Sequence, residues 1–404
     1  MTKYIICLGD GMADHPIKSL GNKTPLQFAK TPHMDFISSN GQLGMVDTVP
    51  QGFLPGSDVA NMGILGYDPA LYYTGRGPIE AASLGVECAA DETIFRCNLV
   101  TIANHTMIDF TSGHIESPES HVLIAELNRV FQNDPVRFIA GVGYRHIMVV
   151  KGDFKGLKTA APHDIIDQTI DPFIPKGPLD TLLAQIMKKA HHYLKTAPIN
   201  QSRISANKRP VTDIWPWSQG NYPKLPSFQK TYGKTGGIVT AVDLLKGLGK
   251  LSGLETPTVE GATGFIDTNY TNKVLAALKI LKTHDFCYLH IEAPDEAGHM
   301  GDPKLKVRAI EDFDNQVVRH MLAYQKAQPD TVILVLPDHP TPCDIKTHTH
   351  EPVPFCIYHP GIINPSKLPY NEFTAKTTQD HFETPWGLLS HFLSLKPPID
   401  HVQF

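Results

Sequence analysis

Tyr4-Ile5-Ile6-Cys7-Leu8-Gly9 runs straight into Asp10, and the same pattern recurs twice far downstream. Phe286-Cys287-Tyr288-Leu289-His290-Ile291-Glu292 is followed by Asp295 and His299, and Thr331-Val332-Ile333-Leu334-Val335-Leu336 leads through Pro337 into Asp338-His339. Short apolar runs bounded by Gly and Pro read as buried strands. In an open α/β sheet, chemistry gathers beyond the carboxyl ends of the strands. Asp10, Asp295, His299, Asp338 and His339 are therefore expected to converge from distant positions. Carboxylates and imidazoles meeting at one point bind divalent metal.

Working outward, Asp295 and His299 are four apart, a spacing that aims both side chains the same way on one helical turn. A capped polar turn is the plainer alternative, against which Pro294, Gly298 and Gly301 argue by shaping the segment. Pro337 and Pro340 restrict the backbone around Asp338-His339. Thr347-His348-Thr349-His350 comes next, and one of its two histidines is a natural further ligand. With one of them, the set exceeds the roughly four ligands of a single zinc-like site. Two ions about 4 Å apart suit it better, as in sites that clamp the oxygens of a phosphoryl displacement.

Ser57, in Pro55-Gly56-Ser57-Asp58, stands where a helix should begin. It either caps that helix or acts as a nucleophile whose hydroxyl is activated by metal and favoured by the helix dipole. Arg76, Arg145, His163, Arg209 and Lys234 are candidates for holding anionic groups of a substrate. Gly233-Lys234-Thr235 imitates the end of a P-loop, but Phe228 occupies the position that needs glycine, so a Walker-type nucleotide site is rejected. Gly9-Asp10-Gly11 opens no dinucleotide fingerprint either.

The chain has 404 residues, which favours two domains. Between the first and second metal-type motifs lie segments resembling strands (95–102, 107–111, 137–140, 146–151) and helices (118–131, 179–194), then Pro-rich stretches read as loops from 198 to 226. The expected organisation is a core of residues 1–85 and 226–404 with a smaller α/β domain, 86–225, inserted. Net charge of −5 argues against nucleic acid or an anionic membrane as partner. No apolar run approaches the roughly 20 residues of a spanning helix, and no basic n-region precedes the first strand. Six scattered cysteines without a C-x-x-C pair suit a cytoplasmic protein without disulfides.

The chain resembles the archaeal-type 2,3-bisphosphoglycerate-independent phosphoglycerate mutases of the alkaline-phosphatase superfamily. The resemblance spans nearly the whole length. It is carried by Gly9-Asp10-Gly11-Met12, Thr31-Pro32-His33-Met34-Asp35, Pro55-Gly56-Ser57-Asp58-Val59-Ala60-Asn61, Tyr73-Thr74-Gly75-Arg76-Gly77-Pro78, Phe95-Arg96-Cys97-Asn98, Glu292 to His299, Pro337-Asp338-His339-Pro340-Thr341-Pro342 and Pro352-Val353-Pro354-Phe355. It implies an alkaline-phosphatase-like α/β core with a mostly parallel sheet flanked by helices. It also implies two divalent ions, usually manganese and sometimes zinc or magnesium. Asp295, His299 and His348 would hold one ion, His348 being preferred over His350. Asp10, Ser57, Asp338 and His339 would hold the other. Ser57 would carry the phosphoryl group between 3-phosphoglycerate and 2-phosphoglycerate. The inserted domain would close over the site and contribute Asp109, His114, Arg145 and His163 to a small phosphorylated substrate. The stretch Ala206 to Trp217 departs from the family's usual approach to its Trp pair, and a branch proposed to phosphorylate homoserine is also similar. That branch, or a phosphate-ester hydrolase on the same core, is the alternative.

Overall fold

The computed structural model describes residues 2–397. The strands are β1 (Lys3–Gly9), β2 (Gln42–Val46), β3 (Glu92–Ala103), β4 (Thr106–Asp109), β5 (Val136–Ile139), β6 (Arg145–Lys151), β7 (Asp213–Gly220), β8 (Gly236–Val239), β9 (Phe286–Ile291), β10 (Thr331–Leu336), β11 (Val353–Tyr358) and β12 (His381–Phe382). They form two compact units. One contains the residues through Tyr73 and those from Lys224 onward; the other is Thr74–Pro223. The divisions fall at 73/74 and 223/224, against the expected 85/86 and 225/226. Helix Arg76–Ser83 belongs to the second unit because it packs on β3 and β7.

The first unit is built on a seven-stranded sheet in the order β12-β2-β11-β10-β1-β9-β8. Strands β10, β1, β9 and β8 are parallel neighbours. All residues of β9 and β10 are buried, as expected for parallel strands covered on both faces. Alternate residues of the strands (Ile5, Cys7; Leu289, Ile291; Ile333, Val335) face one apolar core. Helix Tyr270–Thr283 closes it with Val274, Ala277, Ile280 and Leu281, the spacing of a single apolar helix face. Each such large side chain contributes about 1.5–3 kcal/mol on burial.

Register decides where the site lies. Leu8 pairs with Leu336 and with His290, and Gly9 with Ile291, so Asp10, Glu292 and Asp338 emerge at the same sheet edge. Strand β11 runs antiparallel to β10, Val335 facing Cys356 and Ile333 facing Tyr358. Its entry, preceded by His348, therefore meets that edge too. Lys234 precedes β8 and lies over the Tyr4 ring at 5.1 Å. It sits at the opposite ends of these strands, about 20 Å away at ~3.3 Å per residue. Lys234 is accordingly no part of the metal-type cluster: a cation–π seat at the sheet's amino edge holds it.

The second unit has five strands. β3 pairs antiparallel with β4, β6 and β7, and β5 pairs with β6. Helices Ser117–Val130 and Asp180–Leu194 bury Leu123, Leu127, Leu183 and Ile186 among Phe95, Cys97 and Leu99. The stretch read as Pro-rich loop instead contains helix Pro198–Ser205 and β7. Pro216 is tolerated in β7 because that strand pairs with β3 alone, and an edge strand does not need every N–H. No helix among the described residues is long and apolar enough to cross a membrane.

Candidate metal centre

Two clusters of carboxylates and imidazoles sit at the carboxyl edge of the first unit's sheet. The first rests on helix Ala293–Met300, opened by Pro294. Asp295 Oδ2 lies 3.2 Å from His299 Nε2, and Asp295 Oδ1 lies 3.4 Å from His348 Nε2. The two Nε2 atoms are 3.0 Å apart. His299 Nδ1 faces the Lys346 carbonyl at 2.9 Å. A carbonyl only accepts, so Nδ1 carries a hydrogen, and Nε2 is the ring nitrogen turned toward Asp295 and His348. Burial alone would raise the Asp295 pKa, but His299 and His348 outweigh it and hold the carboxyl well below its ordinary range. Burial lowers the His299 pKa, but Asp295 outweighs it and raises His299 to about 9. The structure turns His348 into this cluster and leaves His350 exposed.

The second cluster joins Asp10, Asp338 and His339, all fully buried. His339 Nε2 lies 3.1 Å from Ser57 Oγ, 3.3 Å from Asp338 Oδ2 and 3.7 Å from Asp10 Oδ1. Helix Ser57–Ile64 begins after Gly56 without a side-chain cap, so Ser57 does not cap it; its hydroxyl meets His339 instead. Asp338 Oδ1 accepts from Gly11 N (3.1 Å) and His339 N (3.0 Å), and Oδ2 accepts from Asn61 Nδ2 (2.7 Å). Asn61 Oδ1 in turn accepts from Tyr288 at 2.5 Å.

Asp10 makes the clearest case for a cation. Its Oδ2 meets His290 Nε2 at 2.8 Å, but Oδ1 is buried without a hydrogen-bond partner. Burial, then the charges of Asp338, Asp295 and Glu292, push its pKa well above the ordinary range. Several carboxylates gathered in low dielectric oppose one another unless positive charge sits among them. Carboxylate, imidazole and hydroxyl donors fit a divalent ion of the zinc, manganese or magnesium kind. His290 and Glu292 form a third group with Asp10. Burial pushes His290 down to about 3, which leaves it neutral. Its signal was present in the sequence as one polar residue inside an apolar strand. Asn61 and Tyr288 gave none, since both read as packing residues.

Gly11 explains the tight approach of the loops. Its φ is +60°, and a Cβ there would fall 2.5 Å from Thr341 Oγ1 and 2.6 Å from Asp295 Oδ1. Both the left-handed backbone and the contact require glycine.

In the second unit, Arg76 Nε binds Glu80 Oε1 at 2.7 Å and Arg96 Nε lies 3.0 Å from Glu80 Oε2. Burial opposes ionisation of Glu80, but Arg96 and Arg76, joined by Arg145, hold its pKa down. Burial also lowers Arg96 to about 10. Its guanidinium lies 4.5 Å over Trp217, whose ring is 5.4 Å from that of His163. Arg145 lies 5.6 Å over Tyr144. Arg76, Arg145 and His163 thus share one basic, aromatic neighbourhood, together with Arg96. Asp109, His114 and Arg209 form a separate group. Asp109 accepts from Thr111 N (2.7 Å), Thr111 Oγ1 (2.6 Å) and Gly113 N (2.8 Å) and pairs with Arg209 at 3.1 Å. His114 N closes the turn on Thr111 Oγ1 at 2.9 Å.

Residues 38–200 match the family model of the 2,3-bisphosphoglycerate-independent phosphoglycerate mutases. The enzyme of that name from Methanosarcina acetivorans is 48% identical over 371 residues, covering 91% of this chain and 93% of its own. Its namesake from Pyrococcus furiosus is 36% identical, with 89% of each chain covered. Among solved structures, a Pyrococcus horikoshii protein superimposes with a TM-score of 0.80 at 27% identity over 97% of both chains. The cofactor-independent phosphoglycerate mutase of Thermoplasma acidophilum gives a TM-score of 0.64 at 25% identity, covering 98% of this chain and 99% of its own. An α/β core on a largely parallel sheet, two metal-type clusters, one of them beside a serine, and this degree of identity lead to one conclusion: the chain belongs to the archaeal-type 2,3-bisphosphoglycerate-independent phosphoglycerate mutases.

Proposed function

We propose that the protein interconverts 3-phosphoglycerate and 2-phosphoglycerate through a phosphoserine at Ser57, without nucleotide or bisphosphoglycerate. The observation that carries this reading is Oγ of the partly exposed Ser57 at 3.1 Å from Nε2 of His339, which is buried with Asp10 and Asp338. One divalent ion would lie among Asp295, His299 and His348 and another among Asp10, Ser57, Asp338 and His339; when bound, the pair, manganese first, supplies the Lewis-acid charge for phosphoryl transfer.

Ser57 Oγ attacks phosphorus in line, and the bond between phosphorus and the 3-oxygen breaks. The 2-hydroxyl of the glycerate then attacks the phosphoserine, and Ser57 is released. Each half exchanges one P–O ester bond for another, so neither water nor ATP is consumed. Helix Ser57–Ile64 begins at this serine, and the positive end of its dipole favours the anionic phosphoryl group. Asp338 is oriented by its three donors, Gly11 N, His339 N and Asn61 Nδ2. Arg76, Arg96, Arg145 and His163 of the second unit are assigned to anionic groups of the substrate. All six cysteines are free, which suits a reducing compartment, and we place the protein in the cytoplasm.

The test is turnover of 3-phosphoglycerate by purified protein with Mn²⁺ alone, with mass spectrometry of a trapped phosphopeptide containing Ser57. Ser57→Ala should abolish both. ATP-dependent phosphorylation of homoserine without mutase turnover, or hydrolysis alone, would overturn the proposal.

A further inference from the structure

Thr341 stands between the two clusters. Its buried hydroxyl lies 2.5 Å from Asp295 Oδ1 and 3.2 Å from His339 Nδ1. One hydroxyl has one proton, and an ionised carboxylate can only accept. The Thr341 proton therefore goes to Asp295. The hydroxyl's remaining lone pair must then receive a hydrogen from His339 Nδ1, or two lone pairs would face each other. That choice leaves His339 Nε2 bare toward Ser57, Asp338 and Asp10.

Thr341 has no other seat. Its N–H donates to Ala13 O at 3.1 Å. Its carbonyl accepts from Lys306 Nζ at 2.8 Å, and the same ammonium binds Asp14 Oδ2 at 2.8 Å and Ala13 O at 3.1 Å. A Cβ on Gly298 would come 2.4 Å from the Thr341 carbonyl oxygen. The loop after β1 and the loop after β10 are thereby locked to each other through one buried lysine.

We infer that Thr341 is a positioning residue coupling the two cation sites: a single hydroxyl orients Asp295 of one and fixes the His339 tautomer of the other. This rests on the reading that both clusters hold divalent cations. Calorimetric titration of metal-stripped full-length protein with Mn²⁺ separates the two claims, because wild-type protein that binds no ion defeats that reading itself. Given two bound ions in the wild type, Thr341→Val, which keeps the shape and loses the hydroxyl, should weaken both by roughly 10–100-fold, the usual effect of losing an outer-shell partner. Thr341→Ser should restore affinity, which a purely space-filling role would not produce. Wild-type affinity in the valine variant, or loss at one site alone, overturns the coupling. A second measurement needs no altered Thr341. Nitrogen-15 spectroscopy of histidine-labelled, metal-stripped wild type, with the His339 signal assigned by its loss in His339→Gln, should show hydrogen on Nδ1. Hydrogen on Nε2 with Nδ1 bare overturns the inference.

Discussion

Replacing Lys306 by Met should be among the most damaging single changes outside the ligands themselves. Methionine matches the stem of lysine and cannot donate. Lys306 Nζ and the Asp14 carboxylate are both completely buried, 2.8 Å apart. The ammonium's three hydrogens are all used, on Ala13 O, Asp14 Oδ2 and Thr341 O. After substitution Asp14 keeps only uncharged donors, His15 N at 2.7 Å, Cys343 N at 3.2–3.3 Å and the Cys343 thiol. Removing one partner of a buried pair typically costs about 3–5 kcal/mol, mostly as the uncompensated charge left behind. At roughly 2–4 °C per kcal/mol for a unit of this size, Tm should fall by about 10 °C. Urea unfolding tracked by circular dichroism gives the free energy, and Asp14→Asn in the same chain tests its origin. With the stranded charge gone, the double variant should recover about half of the loss, whereas Asp14→Asn alone should destabilise. A cost below about 1 kcal/mol, or strict additivity of the two changes, would refute the electrostatic reasoning.

Three further outcomes are expected from the site and its surroundings. Asp338→Asn should leave one ion per chain where the wild type holds two, as counted by plasma mass spectrometry; two ions in the variant would remove Asp338 from the ligand set. Chelation should lower Tm and Mn²⁺ restore it, by about 2.7 kcal/mol at a hundredfold excess over Kd, and a Tm indifferent to chelator would contradict the crowding of carboxylates around Asp10. The third concerns His146, where burial, reinforced by His121, pushes the pKa down to about 3 from an ordinary 6.5. The unfolded chain then binds a proton that the folded one refuses, so this contribution is present above pH 6.5 and is lost as pH falls toward 3. The slope is at most about 1.4 kcal/mol per pH unit. His146→Asn should flatten the fall in urea stability between pH 6.5 and 5, and an unchanged fall would exclude His146 as its source.

Much of this centre is written locally. The runs ending in Asp10, Glu292 and Asp338 announce their strands by apolar residues and their chemistry by the acids and histidines that cluster just past each run. Asp295 and His299 share one helical turn, so their proximity needs nothing beyond sequence spacing. Other parts were illegible for a definite reason. The prolines around 198–226 read as loop, yet Pro216 lies in an edge strand that spares its missing N–H. Lys234 read as a substrate cation, yet strand direction carries it to the far edge of the sheet.

The sequence by itself determined which segments are strands and that acids and histidines wait at their ends, because both properties depend on neighbours a few residues away. Tertiary structure decided the rest. It recruited His290, Asn61 and Tyr288, and placed Thr341 and Lys306 between loops that lie hundreds of residues apart in the chain. Those choices depend on strand order and register, and a contact across 293 residues leaves no periodicity for a local reading to find.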